Sequence, residues 1–222
     1  MIYQAEPGHL RLADWLALAS PGPGLLILDG VVAASVQVGD RTTAELIGAG
    51  DLIQPWDDED AELVCEIGWR ALLPTRFALL NAGFTQRAQP WPQITAALLR
   101  RAGKRTRRLN VQRAIAAQPR LEVRLALLMW HLAARWGKVE PGGVRLRLPL
   151  THQLLGWLIS AERPSVSHAL ARLAHAGLVS GQAGEWHLHG SVDDHLASMI
   201  EPPVSRVEHL LDPVALRTSP SR

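Results

Sequence analysis

The chain has 222 residues, a formal net charge of +2, 47% hydrophobic residues and one cysteine, Cys65. That length suits two small domains with a core each, and no apolar run approaches the roughly 18 residues needed to span a membrane. One thiol excludes an intramolecular disulfide framework and a cluster held by several cysteines of one chain; Cys65 reads as a small buried apolar residue. No basic-then-apolar leader follows Met1, so a cytoplasmic location is expected.

Charge is unevenly placed. Residues 1–85 hold twelve acids against four Lys/Arg, a balance of −8, and residues 86–190 hold sixteen Lys/Arg against four acids, a balance of +12. A basic half beside an acidic half is the footprint of a separate nucleic-acid-binding module, although solvation alone also favours a basic helical face.

Residues 24–74 carry short apolar runs broken by glycine: Leu25-Leu26-Ile27-Leu28, then Gly30, Val31-Val32-Ala33-Ala34-Ser35-Val36, Gly39, Ala44-Glu45-Leu46-Ile47, Gly48 and Gly50. Runs of this length between turn signals predict compact β-structure. The acidic run Asp57-Asp58-Glu59-Asp60 lacks the alternating ligands and central glycine of a calcium loop. Trp56 and Trp69 are candidates to line a pocket. In a chain with two Phe and one Tyr, they read more simply as core.

From about Pro90 the pattern becomes helical. Ile94, Leu98, Ala102, Leu109 and Ala116 recur at about three and a half residues, a candidate dimer seam interrupted by Arg105 and Gln112. Arg100, Arg101, Lys104, Arg105, Arg107 and Arg108 crowd this helix with no acid between them. They suit contact with nucleic acid, contact with the acidic N-terminal half, or plain solvation. Gln118-Pro119 is the candidate hinge, after which Leu121, Leu125, Leu128, Leu132 and Trp136 mark a second helix.

Val144-Arg145-Leu146-Arg147-Leu148 alternates as a half-buried strand does. Residues 151–177 then predict two amphipathic helices joined by a tight turn. Leu150, Leu154, Leu155 and Leu158 share one face, with Thr151 as N-cap. The second helix opens on Arg163-Pro164-Ser165, places Val166, Leu170, Leu173 and Ala174 on its buried face, and ends at Gly177. Arg163, Ser165, Ser167, His168 and Arg172 then point outward, the chemistry that suits phosphates and base edges. Leu178-Val179-Ser180 and Glu185-Trp186-His187-Leu188-His189 read as two strands around a Gly-bearing loop, which makes the unit a winged helix spanning about 141–190. A short helix is expected from about Ser191 to Ile200. Pro202-Pro203 and the Ser/Pro-rich terminus read as a loosely ordered tail.

Thr151-His152-Gln153, Arg163 twelve positions after Thr151, Val166, and the closing Ala-Arg-Leu and Gly-Leu-Val together resemble the DNA-binding signature of the Crp/Fnr family. The resemblance is specific in the C-terminal third and looser over the rest. It implies a transcription regulator that binds double-stranded DNA at an inverted-repeat operator as a homodimer, with RNA polymerase a candidate partner. It implies DNA contacts by Thr151, His152, Gln153, Arg163, Ser165, Ser167, His168 and Arg172, with Thr151 on the backbone and Arg163 on a guanine. Pro164 stands where many members carry a base-contacting glutamate, and His168 where many carry a second arginine, so the operator sequence does not carry over.

The same resemblance gives the fold class: α+β, with an N-terminal partial β-roll of the cyclic-nucleotide-binding kind over 1–89 and connecting and dimerisation helices over 90–140. A C-terminal winged helix-turn-helix follows over 141–200, and a tail over 201–222. The chain before Gly30 is short for a whole roll, so its early strands are expected to be missing or the true start to lie upstream. Cyclic-nucleotide-binding members carry Gly-Glu-Leu followed by Arg-Ser or Arg-Thr. Here Gly50-Asp51-Leu52 is followed by four acids and no arginine until Arg70, a pattern that repels a phosphate. Cyclic AMP is therefore not the expected effector, and the effector's identity stays open.

Catalysis is not expected. The chain has no phosphate-binding glycine loop, nucleophile elbow or zinc-protease pair. His187 and His189, with Asp193, Asp194 and His195 nearby, lack the spacing of a metal site and read as wing residues. No cofactor is assigned. Two other readings remain: an effector-binding or protein-interaction module that no longer reads DNA, and a winged-helix regulator of another family.

Overall fold

The computed structural model describes residues 1–54, 63–182 and 184–199; Trp56, the acidic run at 57–60 and the proline-bearing terminus lie outside the described residues. The N-terminal half folds as two antiparallel four-stranded sheets. One has the order β1-β8-β3-β6, from Ile2–Ala5 (β1), Thr75–Leu80 (β8), Gly24–Asp29 (β3) and Leu52–Ile53 (β6). The other has the order β2-β7-β4-β5, from Gly8–His9 (β2), Glu66–Ala71 (β7), Val31–Val38 (β4) and Arg41–Gly48 (β5). The early strands are thus abbreviated rather than missing: β1 pairs with β8, and β2 contributes two residues against β7.

Strand β4 explains the unbroken apolar run Val31-Val32-Ala33-Ala34. Successive side chains point to opposite faces. Val32 and Ala34 enter the core between the sheets with Leu25, Ile27, Ile47, Ile53, Phe77 and Leu79. Val31 and Ala33 point out of the roll and join a second core with Ala44, Leu46 and the C-terminal helices. A strand buried on both faces has no polar alternation to show. Helix α1 (Leu12–Ala19) closes the roll, its Trp15 ring packed edge-on against Tyr3 and Phe77 at 4.5 Å between centroids. Cys65, expected buried, is half-exposed at the approach to β7.

Helix α2 (Ala82–Ala88) leads into α3 (Pro92–Ala116), and α4 (Leu121–Trp136) follows the break at Gln118-Pro119. Arg124 ties that break, its Nε donating to the Gln118 carbonyl at 2.5 Å. The interruptions of the apolar seam on α3 have a physical cause. Arg105 forms a two-pronged ion pair with Glu45 of β5 and donates to the Leu52 carbonyl, and Gln112 donates to the Ala44 and Leu158 carbonyls. Around Arg105, Leu109 and Gln112 that face of α3 meets the chain's own body. The line left in solvent carries Leu99, Gly103, Thr106 and Asn110, with Leu99 69% exposed.

The C-terminal unit begins directly after α4. Gly137–Glu140 (β9), Gly143–Leu146 (β10), Val179–Gln182 (β11) and Glu185–His189 (β12) form a sheet of order β11-β12-β10-β9. Between β10 and β11 lie α5 (His152–Ile159) and α6 (Arg163–His175), and α7 (Val192–Met199) packs on α4. The α4 residues Leu125, Leu128, Met129 and Leu132 share one core with Leu154, Leu155, Leu158, Val166, Leu170 and Leu173. No helix among the described residues is long and apolar enough to cross a membrane.

Candidate nucleic-acid interface

Thr151 caps α5 as its sequence position requires: its Oγ1 accepts the Leu154 N–H at 3.1 Å. The helix ends at Ser160, whose φ of 56° turns the chain into the left-handed region. The turn between the helices folds back over Gly156, where a Cβ would run into the Ala161 carbonyl. Helix α6 then begins at Arg163, with Pro164 in its first turn, where no helical acceptor is lost. It ends in a paired cap: Leu178 N–H reaches the Leu173 carbonyl and Gly177 N–H the Ala174 carbonyl, both at 3.0 Å, with Gly177 at φ 70°.

The buried face of α6 is Val166, Ala169, Leu170 and Leu173. Ala174, expected on that face, is exposed, and Ala169 takes its place. At 100° per residue, 169 and 174 flank the stripe of Val166, Leu170 and Leu173 at nearly equal angles, so packing rather than helical phase decides which of the two is buried. On the opposite side Arg163, Ser165, His168 and Arg172 stand exposed. Ser167 is partly buried, because its hydroxyl donates to the Arg163 carbonyl at 3.1 Å and its oxygen lies 2.8 Å from His152 Nδ1. Those bonds pin α5 to the first turn of α6. Arg172 is paired with Glu122 of α4. Both ends are partly open to water, so the pair contributes little to stability and is open to exchange.

Thr151 and Gln153 sit apart from this row. They line a cavity of about 510 Å³ between α5 and the outer face of the β2-β7-β4-β5 sheet, together with Trp69, Arg70 and Trp157. Trp69, read as core from composition, is half-buried: it packs against the core of the roll and also borders this cavity. The halves are also tied by the 2.5 Å ion pair of Arg41, the first residue of β5, with Glu162, the residue before α6. Nothing in the spacing of either residue announced that pairing, since 121 positions separate them. The wing hairpin is longer than the sequence pattern suggested, with β11 continuing through Gln182 opposite Glu185.

The histidines near the wing serve packing. His189 is hydrogen-bonded to Ser180 at 2.7 Å, and buried His195 lies against Trp130 with its Nε2 2.7 Å from the His189 carbonyl. Among the described residues no group of three or more His, Cys, Asp or Glu is placed to hold a metal ion.

Residues 123–189 match the model of the Crp-like helix-turn-helix domain. The chain is 35% identical over 178 residues to the CRP-like cAMP-activated global transcriptional regulator of Mycobacterium tuberculosis, covering 78% of this chain and 76% of that protein. Solved structures share the fold at low identity. A cyclic nucleotide-binding domain containing protein from Listeria monocytogenes aligns with a TM-score of 0.67 at 10% identity, over 85% of this chain and 88% of its own. A CooA mutant from Carboxydothermus hydrogenoformans gives 0.64 at 16%, over 89% and 87%. A Crp/Fnr-family transcriptional regulator from Thermus thermophilus gives 0.60 at 18%, over 89% and 97%. Identity of this extent to a curated regulator, on a fold shared with others of its kind, establishes that this chain belongs to the Crp-like family of transcription regulators.

Proposed function

We propose that the chain is a sequence-specific DNA-binding regulator that acts as a homodimer on an inverted-repeat operator and there influences RNA polymerase. The observation that carries this reading is α6, which buries Val166, Ala169, Leu170 and Leu173 and presents Arg163, Ser165, His168 and Arg172 to solvent. A helix held this way enters the major groove N-terminus first. Arg163, in its first turn, reads a guanine through its planar fork. Thr151 and Arg172 bind phosphates, Ser165 and His168 face base edges or the backbone, and His152 and Ser167 hold the two helices in register for that contact. Gln153 contributes from the start of α5. The working division is a sensor-like roll over 1–89, connecting helices over 90–140 and the reading domain over 141–200. The dimer forms along the solvent line of α3 through Leu99. Two copies of α6 then address half-sites about 34 Å apart.

The effector is not cyclic AMP. Gly50-Asp51-Leu52 departs from the Gly-Glu-Leu of nucleotide-binding members, and the Asp51 carboxylate already binds Arg108, Arg135 at 2.8 Å and the Gly48 N–H at 3.0 Å.

In-vitro selection from random duplex DNA at near-physiological salt, without added ligand, tests the reading. Enrichment of an inverted repeat with half-sites one helical turn apart is expected. Binding without enrichment of any sequence overturns it.

A further inference from the structure

Where the turn at 49–51 meets α3 and α4, the surface opens into a cleft of about 580 Å³. Its walls carry Arg100, Arg101, Lys104 and Arg108 from α3 and His131 and Arg135 from α4, and Asp51 is its one acidic lining residue. The bookkeeping of partners is uneven. Asp51, whose side chain is 4% exposed, shares its single negative charge between Arg108 and Arg135. Arg101 donates to the Gly50 carbonyl at 3.0 Å and Arg135 to the Ala49 carbonyl at 3.1 Å, contacts that satisfy hydrogen bonds without neutralising charge. Arg100, Arg101 and Lys104 have no carboxylate within ion-pair distance among the described residues. Like charges converging in a concave site repel one another unless an anion enters.

From this arrangement we infer that the cleft is a binding site for a small molecule carrying several phosphate charges, of the di- or triphosphate class. The volume lies in the range of small-ligand sites. The guanidinium forks of Arg100, Arg101 and Arg108 suit phosphate oxygens in pairs, and Lys104 adds a mobile point charge. Its cations come from the two connecting helices α3 and α4, while the roll's turn at 49–51 supplies Asp51 and backbone carbonyls. The exposed line of α3 at Leu99, Gly103 and Thr106 lies on the other side of that helix, so self-association there leaves the cleft open. The field is visible in His131 at the cleft wall, whose imidazole is held below its ordinary value by burial and then by Arg108 and Arg135. Arg135 lies one residue before the end of α4, where β9 begins. An occupant would therefore touch both the roll and the helix that feeds the reading domain. This inference stands whether or not α6 reads DNA.

The test is calorimetric titration of the full chain with sodium tripolyphosphate, against sodium sulfate at matched ionic strength. Saturable binding of one tripolyphosphate per chain is expected, at least tenfold tighter than sulfate. The double variant Arg100→Ala/Lys104→Ala, both exposed positions, should bind at least tenfold more weakly while keeping the wild-type circular dichroism and melting temperature. Arg163→Ala, which removes a cation from α6, should bind as wild type does. Equal affinity in the double variant, weakening that follows ionic strength alone, or loss only in Arg163→Ala overturns the inference. So does equally effective competition by random duplex DNA for the same residues, which would make the cleft part of a nucleic-acid surface.

Discussion

Asp51 shows how much one position can decide. It lies at a turn where the Gly48 and Asp51 backbones meet, and burial of its carboxylate is tolerated only because Arg108 from α3, Arg135 from α4 and the Gly48 N–H surround it. A carboxylate so engaged is not available to a ribose, so millimolar cyclic AMP should leave operator affinity unchanged; a tenfold tightening would overturn that reading. His131, beside the same arginines, has a folded pKa below its unfolded value of about 6.5. Below that pH the unfolded chain takes up a proton that the folded chain resists, so this group's contribution is complete at higher pH and is lost as the pH falls. Glu45, Asp51, Arg105, Arg108 and Arg135 face it across the helix junction. Urea midpoints should therefore drop between pH 7.5 and 5.5, and His131→Asn should reduce that drop; an identical drop in the variant would place the cause elsewhere. Thr151 is the third decisive residue. Thr151→Ala removes a cap worth about 1 kcal/mol, and should also weaken binding to all DNA sequences alike and lower its salt dependence.

At the scale of elements, the helix-turn-helix was the most legible part of the chain. Its spacing, N-cap, Pro164 and Gly177 each carry a local signal, and together they located α5 and α6 from sequence. Local signals stop at the boundary of what an element touches. The seam on α3 read as a dimer stripe because apolar periodicity does not say which body the stripe meets. Arg105 and Gln112 meet β5 and α5 of the same chain, through carbonyls and a carboxylate that lie 46 to 68 residues away in sequence. Ala174 was misplaced because one small residue barely shifts the apolar stripe of a helix, and packing against α4 selected Ala169. Strand β9 escaped because Gly137-Lys138-Val139-Glu140 is too short and too polar to show a period, and acquires strand form by pairing with β10. The turn carbonyl of Ala161 packed over Gly156 predicts that Gly156→Ala displaces the turn and with it the start of α6. DNA affinity should fall in that variant with helical content kept by circular dichroism, and an unchanged affinity would show that the junction yields without consequence.

At the scale of the molecule, the roll and the winged-helix domain are joined by a continuous apolar core that contains Val31, Ala33, Ala44 and Leu46 of the roll with Leu154 and Leu158 of α5. The two-faced strand β4 makes this possible, and its Val-Val-Ala-Ala run could be read as a strand without revealing that both faces have partners. The charge division between the halves was plain in the sequence. Its use was not: Arg101, Arg105 and Arg108 turn toward the acidic roll, whereas Arg100, Lys104 and Arg107 stay in solvent. Leu99, left 69% exposed on the outer line of α3, is the apolar contact of the proposed dimer. Burying one such leucine from each copy contributes about 3 kcal/mol, so Leu99→Arg should raise the dimer dissociation constant roughly 100-fold by sedimentation; an unchanged constant would move the interface off α3. The most direct single test of a DNA-reading α6 is fluorescence anisotropy of wild type and Arg163→Ala on the selected operator and its single-base variants. Arg163→Ala should cost roughly 1–3 kcal/mol and flatten preference at one guanine in each half-site. Operator preference that survives unchanged in the variant would contradict it.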